Sequence, residues 1–545
     1  VKYDGAGKIS PLLPAITWCL GMGSVAVLAL ALCSRYFQPW LSADYIYPQL
    51  FAEDLLSGRY PLSGWTLSSA PYFFPDMAVI TLLRAIGGPG TALPAYVVFS
   101  YFCLAIVSGW SLQRITRGGA MAWLAGIVFV DALLLWQPVG DHAHYLWLFG
   151  TVGFHGGAVL LGLVNVALWT GMAPDEKLSR SRRAAALAVL FLGLMSDTLF
   201  FIQAALPLGL GLWAWANWNW RRPLVRGYTA SLLCSIGLVA LVRLGLWAGG
   251  WFSFSKVFRY LPTPSGIGNT ATSFARDVSD TLAPGAWGFG LMAIAGLLVG
   301  GFFWWRARPP ATATSGDSVP AVGFALAGLL ATTAMPLITT YWRDANHVRY
   351  LLPWLIFPGW FAMVWVVPKL KPLSARPVAI ALLGLGFVGL AVAAIPRIES
   401  AKLRWPYSEH QARLDRFLTD RKLQNGLSDY WHAHEINTLS HAKVHLFPMR
   451  PDGRFSFWNN NAFWFFDENS GHLTVPRYDF ILVDGLDGKV LTEKFGEPAE
   501  RVDVDGTRFW LYSGASAVRM TELAGSAVKE FVRGRPGEEM ISAKP

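Results

Sequence analysis

The sequence predicts a polytopic α-helical membrane protein with a soluble α/β domain at its C-terminal end, and three observations carry that expectation. Of 545 residues, 53% are apolar and 15% charged, and the mean hydropathy is +0.38, too apolar for the surface of an ordinary soluble enzyme. Apolar stretches long enough to cross a bilayer recur about 11 times. After Ile395 the composition changes to that of a water-soluble chain. The division expected is therefore 1–396 for the transmembrane part and 397–545 for the soluble domain.

The expected spans lie near 12–34, 92–112, 119–137, 151–171, 183–196, 199–217, 226–249, 286–305, 320–340, 350–368 and 376–396. The first is expected to stay uncleaved, because it is long and is followed by Arg35 rather than by small residues. The run from Pro71 to Gly88 is short and holds Pro75, Asp76 and Arg84, so it reads as an interfacial helix rather than a crossing. With that choice, the basic clusters at 114–117, 177–183, 221–226, 306–308 and 369–376 fall on one side together with Lys2 and Lys8. The positive-inside rule makes that side the cytoplasm. Two crossings must then share 183–217, with a break at Ser196–Asp197.

The opposite face collects the first loop, 35–91, then "PVGDHAHYLWLFGTVGFHGG", "SDTLF", 250–285 and "TYWRDANHVRY". A bacterial inner membrane with an inside N-terminus and a periplasmic C-terminal domain is the expected setting. The net charge of +10 comes as short clusters between apolar runs, which reports topology and excludes a nucleic-acid surface. The four cysteines lie in apolar runs without CxxC spacing, against a disulfide framework or a thiolate zinc site.

In the soluble domain, "SEHQARLDRFLTDRKL" has helical periodicity, "YDFILVDG" reads as a buried strand, and "ERVDVDGTRFWLYS" as a hairpin turning at Asp505-Gly506. From about Met520 onward the chain reads as a tail.

Charged side chains beside a membrane segment are costly unless they lie at its surface or line a polar cavity. Asp44, Glu53 and Asp54 in "SADYIYPQLFAEDLLSGRYP" are the first such group. Asp44 serves either as a working carboxylate or as a helix cap, and Glu53 and Asp54 would bind substrate, face solvent or pair with Arg59. In "TYWRDANHVRYLLP", Arg343 and Arg349 with His347 and Tyr350 suit a lipid phosphate, since guanidinium groups offer a planar fork to phosphate oxygens. Interfacial anchoring is the alternative. Asp141, His142 and His144 would bind a sugar or a divalent ion such as Mg or Mn, without a complete ligand set. Asp197 would orient a substrate or end a helix, and Lys256 and Arg259 would meet a second anion or acidic headgroups. The aromatic and Asn clusters "SDYWHAHEINTLS" and "FSFWNNNAFWFFDEN" suit either sugar binding or fastening of the domain to the membrane plane.

This plan of one span, a long outer loop opening with an Asp, an interfacial helix near a Pro, many short-looped spans and an outer C-terminal domain resembles the GT-C superfamily. Its members are integral membrane glycosyltransferases, such as the aminoarabinose transferases of lipid A and the protein mannosyltransferases. The "RY" before a Pro at 349–353 is also similar to family members, whereas the paired acidic motif of some relatives is absent. The resemblance implies a polyprenyl-phosphate-linked sugar as donor, a lipid or glycan acceptor such as lipopolysaccharide or O-antigen, and Asp44 as general base in an inverting transfer. No GxxxxGK[ST] run and no G-x-S-x-G elbow occurs, so nothing local supports ATP-driven transport or serine hydrolysis. The rival expectations are an O-antigen ligase or polymerase working through Arg and His, and a lipid-linked sugar transporter or flippase.

Overall fold

The computed structural model describes residues 12–38, 42–135, 144–173, 175–254, 268–274, 276, 319–338, 349–405, 407–466 and 475–533. Its helices follow the apolar runs: α1 (Leu12–Tyr36), α2 (Ala43–Ser57), α3 (Ala78–Gly87), α4 (Pro89–Thr116), α5 (Ala120–Leu135), α6 (His144–Gly150), α7 (Gly156–Trp169), α8 (Arg180–Ser196), α9 (Leu206–Trp215), α10 (Pro223–Ala248), α11 (Val319–Ile338), α12 (Leu352–Leu370) and α13 (Pro377–Ala394). Five helical stretches among the described residues are long and apolar enough to cross a membrane, namely Leu12–Tyr36, Gly90–Thr116, Pro223–Ala248, Arg349–Leu373 and Pro377–Arg397. Four shorter apolar helices, at Ala120–Leu135, Gly156–Trp169, Phe201–Trp215 and Gly323–Ala334, pack among them.

The outer surfaces of α10 and α13 carry rows of exposed Leu, Ile, Val and Trp, including Leu233, Leu241, Leu244 and Trp247 on the first and Val378, Leu382, Leu385 and Val392 on the second. In water such rows would be exceptional; against lipid they cost nothing. The buried faces use small residues for close approach. At the crossing of α4 and α5, a Cβ added to Gly126 would lie 2.5 Å from the Gly109 nitrogen and 2.6 Å from the Ala105 carbonyl oxygen, so the two backbones meet where only glycine fits.

The two expected crossings within 183–217 form separate helices, since α8 ends at Ser196, Asp197 is extended, and the chain re-enters helix at Phe201. The run expected to lie at the interface is a tight turn, Phe73–Met77, with a cis Phe74–Pro75 bond, followed by α3. Its ten residues are too few to span, and Leu82 and Ile86, one turn apart, are exposed on one face.

The C-terminal region contains α14 (Glu409–Asp420), β3 (Asn425–Asp429), α15 (Tyr430–Leu439), β4 (His445–Met449), β6 (Phe480–Leu482), α16 (Gly488–Phe495), β7 (Glu500–Val504), β8 (Thr507–Leu511) and α17 (Gly514–Arg533). Ser408 accepts the Gln411 N–H and caps α14. The sheet order is β4-β3-β6-β8-β7, parallel across the first three strands and antiparallel across the last three. Asp505 and Gly506 both have positive φ, as a two-residue hairpin with right-handed strand twist requires. The tail expected from Met520 is instead the second half of α17. Its Met520, Ala524, Val528 and Val532, spaced four apart, are buried against the sheet and Phe465, while 534–545 lie outside the described residues.

A second, three-stranded sheet was not expected. It joins β1 (Trp65–Leu67) of the first loop, β2 (Ser253–Phe254) after α10, and β5 (Asn460–Asn461) of the C-terminal region. Three segments far apart in sequence thereby fix the soluble region over the first loop.

Candidate functional site

Asp44 occupies the second position of α2, whose N-cap is Ser42, and its carboxylate makes no capping bond. It turns instead to Arg349, whose Nη1 donates to Oδ2 at 3.2 Å, and to Tyr430, whose hydroxyl donates to Oδ1 at 3.5 Å. Three regions of the chain therefore meet at one carboxylate, 305 residues from the arginine and 386 from the tyrosine. Asp44 is 7% exposed. Burial pushes its carboxyl above the usual range, and the Arg349 charge and the two hydrogen bonds offset part of that shift. The Arg349 guanidinium lies over the Phe154 and Tyr350 rings, 5.4 and 5.5 Å from their centroids.

The loop Gly153–His155 forms the wall. A Cβ on Gly153, whose φ is +84°, would stand 2.9 Å from the Asp44 carbonyl oxygen, so the loop can press on α2 only with glycine there. The Gly153 N–H donates to Asp76 at 3.2 Å, and burial raises the Asp76 carboxyl to about 6 against that bond and one from Tyr96. His155 Nδ1 lies 2.6 Å from Asp197 Oδ2 and its Nε2 lies 3.2 Å from the Tyr72 hydroxyl. The three side chains form a continuous Asp-His-Tyr chain. His155, Tyr72 and Asn459 all hold positive φ without being glycine, which costs about 1–3 kcal/mol each and marks positions that the surrounding packing must enforce.

The soluble region closes this corner. Asn459 donates to the Tyr430 hydroxyl at 3.5 Å and accepts the Ser68 N–H at 2.8 Å. His434 stands between the carbonyls of Tyr430 and Asn459, at 3.0 and 3.2 Å. Burial drives its pKa down to about 4, so the neutral ring donates to one carbonyl at a time.

The sequence expectations divide as follows. Asp44, Arg349, Tyr350 and Asp197 come together, for the His155 ring lies 5.2 Å from Tyr350. Asp197 also accepts the Leu199 N–H at 2.9 Å and so ends one helix while starting the next. Asp54, expected to bind substrate, meet solvent or pair with Arg59, is buried and accepts from Trp65 at 2.9 Å, Asn461 at 2.8 Å and Trp464 at 3.1 Å, which makes it a fastening between the first loop and the soluble region. Burial raises its carboxyl to about 6 in spite of those three donors. Glu53 pairs with Arg84 of α3 at 2.8 Å and is half-exposed. Arg343, His347, Asp141, His142, Lys256 and Arg259 lie outside the described residues, as does the side chain of His144. Among the described residues no three His, Cys, Asp or Glu side chains are grouped to hold a metal ion.

Sequence alone assigned no site role to Tyr72, Asp76, His155, Tyr430 or Asn459; the first three fall in the expected outer-face loops and the last two in the aromatic and Asn clusters of the C-terminal region. A separate cavity of about 700 Å³, lined among others by Trp247, Phe457, Lys494 and Phe531, shares no residue with this corner. The Asp44 corner differs from it in joining a buried ion pair to three non-glycine residues of positive φ, Tyr72, His155 and Asn459. No family model matches the chain, and no curated protein is significantly similar to it. What the fold and site define is thus a class: a mostly helical protein with five helices long and apolar enough to cross a membrane among the described residues, and a buried acid–guanidinium corner under a sheet-containing C-terminal region.

Proposed function

We propose that the protein is a glycosyltransferase of the GT-C kind, with about 11 spans and its soluble region on the outer face of a bacterial inner membrane, moving a sugar from a polyprenyl-phosphate donor to a cell-envelope acceptor. The observation that carries this is the Asp44–Arg349 pair, 3.2 Å apart and largely buried, at the end of a span-length apolar helix. An Arg at that depth offers its charge to the phosphate of a lipid donor. Once a phosphate oxygen takes the guanidinium, Asp44 is left as a buried carboxylate with a raised proton affinity, which is what a general base for a hydroxyl needs.

In the step itself, Asp44 accepts the proton of an acceptor hydroxyl as that oxygen bonds the anomeric carbon from the face opposite the phosphate. The carbon–oxygen bond to phosphate breaks, its electron pair stays on the leaving polyprenyl phosphate, and Arg349 balances the added negative charge. Configuration at the anomeric carbon inverts.

A second arrangement draws on the Asp197-oriented His155 beside Tyr350: an O-antigen-ligase-type enzyme, in which His155 and Arg349 do the work. One comparison separates these and the flippase. The purified protein, reconstituted in proteoliposomes, is supplied with polyprenyl-phosphate sugars and envelope acceptors, and product is read by mass spectrometry. Asp44→Asn is expected to lose transfer while keeping donor binding, and Arg349→Ala to weaken donor binding. Full turnover in Asp44→Asn with loss in His155→Ala would favour the ligase type; flux of donor without any glycosidic product would favour a flippase.

A further inference from the structure

The rings around Tyr430 have no part in the account above. Trp431 and Trp458 pack on Tyr430 with centroids 5.1 and 4.8 Å from its ring. They are 46% and 38% exposed, whereas Phe465, Phe480 and Tyr478 of the same region are buried. Neither indole N–H has a partner among the described residues. Trp458 is held outward by the left-handed turn at Asn459, after which Asn460 and Asn461 are drawn into the buried sheet edge. The ring at the centre of this shelf is the one whose hydroxyl reaches Asp44.

We propose that Trp431 and Trp458, assembled on Tyr430, form the subsite for the acceptor, and that the acceptor bound there is a neutral carbohydrate. The substrate class follows from three features. Indole faces stack on the apolar C–H faces of pyranose rings, and their free N–H groups suit sugar hydroxyls. The neighbouring polar group, His432, donates to Asp429 at 2.6 Å, and Asp484 pairs with Arg508 at 2.8 Å. Charges that are already paired favour a neutral sugar, which needs no counter-charge, over a phosphorylated or uronate acceptor, which does. Tyr430 links the shelf to the corner, for both indoles pack on its ring and its hydroxyl reaches Asp44. The shelf also explains why a soluble region is fastened over the membrane corner by a shared sheet and by Asp54: it carries half of the site.

The proposal rests on the transferase reading only in naming Asp44 as the group that receives the hydroxyl. It is tested with the full-length protein in detergent by saturation-transfer-difference NMR. The probes are cellotetraose and a linear mannotetraose, with trigalacturonate as the anionic counterpart. Binding of a neutral probe through its ring C–H protons, no binding of trigalacturonate, and about a tenfold loss of affinity in Trp431→Ala/Trp458→Ala are expected. Trp431→Phe/Trp458→Phe is expected to retain much of the binding. Equal binding in the double alanine variant, preference for the anionic probe, or no probe bound by the wild type would overturn the subsite. So would lipid-like emission from a polarity-sensitive fluorophore on Trp431→Cys in nanodiscs, since the shelf would then be a membrane anchor. Sugar binding without transfer removes the transferase and leaves the shelf; transfer with an unchanged acceptor KM in the double alanine variant removes the shelf and leaves the transferase.

Discussion

Asp44 and Asp54 stand ten residues apart on one helix, both buried, and both joined to the soluble region, yet they are built to opposite ends. Asp54 accepts three N–H bonds of 2.8–3.1 Å from neutral donors. Every part of its carboxylate that the fold can satisfy is satisfied. Asp44 has one ionic partner at 3.2 Å and one long bond at 3.5 Å. Neutral donors lock a carboxylate in place because they have no other role; an arginine and a stretched tyrosine hydroxyl are partners that an incoming phosphate and an incoming hydroxyl can each replace. The contrast marks Asp44, and not Asp54, as the acid that the proposed transfer would use, and it does so where burial does not, since burial raises both carboxyls.

The largest expected effect breaks the comparison on the reactive side. Asp44→Asn is expected to lower transfer about 10²- to 10⁴-fold, the range of a lost general base, whereas Asp54→Ala changes turnover per folded molecule little. Initial rates, normalised to the folded fraction by size-exclusion chromatography, check both. Comparable losses of turnover from the two would erase the distinction.

The next effect is on stability. Asp54→Ala leaves the buried Trp65 indole N–H and the part-buried Trp464 indole N–H without this acceptor, at about 1–3 kcal/mol each, while the Asn461 amide keeps the Pro61 carbonyl, so a loss of ~2 kcal/mol or more is expected, with protease sensitivity rising first between the first loop and the C-terminal region. A pH dependence accompanies it. A carboxyl whose folded pKa is about 6 against an ordinary 3.8 binds its proton more tightly when folded. Its contribution is therefore greatest below about pH 4 and is lost as pH rises to about 6, then stays level. Thermal unfolding at pH 4.5 and 7 is expected to show this slope reduced in Asp54→Ala. His434, with its pKa lowered to about 4, acts in the opposite sense: protonation of the unfolded chain removes stability as pH falls below about 6.5. The two slopes oppose, so Asp54→Ala is expected to lose stability relative to wild type more at pH 4.5 than at pH 7.

How much of this was legible in the sequence follows from which forces are local. Apolar length and basic clusters are local, and α1, α4, α10 and α13, the helix pair broken at Asp197, and the short α3 all fall where those signals put them. The hairpin at Asp505-Gly506 was equally local. Asp44 and Arg349 were readable because charge beside an apolar run is conspicuous. Their contact across 305 residues was not, because pairing is decided by tertiary packing. Tyr430 and Asn459 were concealed in aromatic and Asn-rich segments that fit fastening and sugar binding alike. The structure divides them: Asn461 and Trp464 fasten, whereas Tyr430 faces Asp44. His155 gave no signal, since the left-handed backbone that aims it at Asp197 is common in glycine and rare elsewhere, and a sequence does not display it. The buried half of α17 was missed because its polar face dominates the eye when the period is not counted.

Two smaller effects sharpen the reactive corner. Arg349→Gln removes the larger of the influences that hold the Asp44 carboxyl down, so the acid limb of the residual kcat/KM profile is expected to move to higher pH. Tyr430→Phe removes only the 3.5 Å bond and keeps the ring. Its acid limb is expected to move the same way by less, with turnover lowered by about 1 kcal/mol, the worth of one ordinary hydrogen bond. Because the ring still supports Trp431 and Trp458, the acceptor KM is expected to hold. A Tyr430→Phe variant with normal kcat and a raised acceptor KM would mean the hydroxyl binds the acceptor directly and that its bond to Asp44 is incidental.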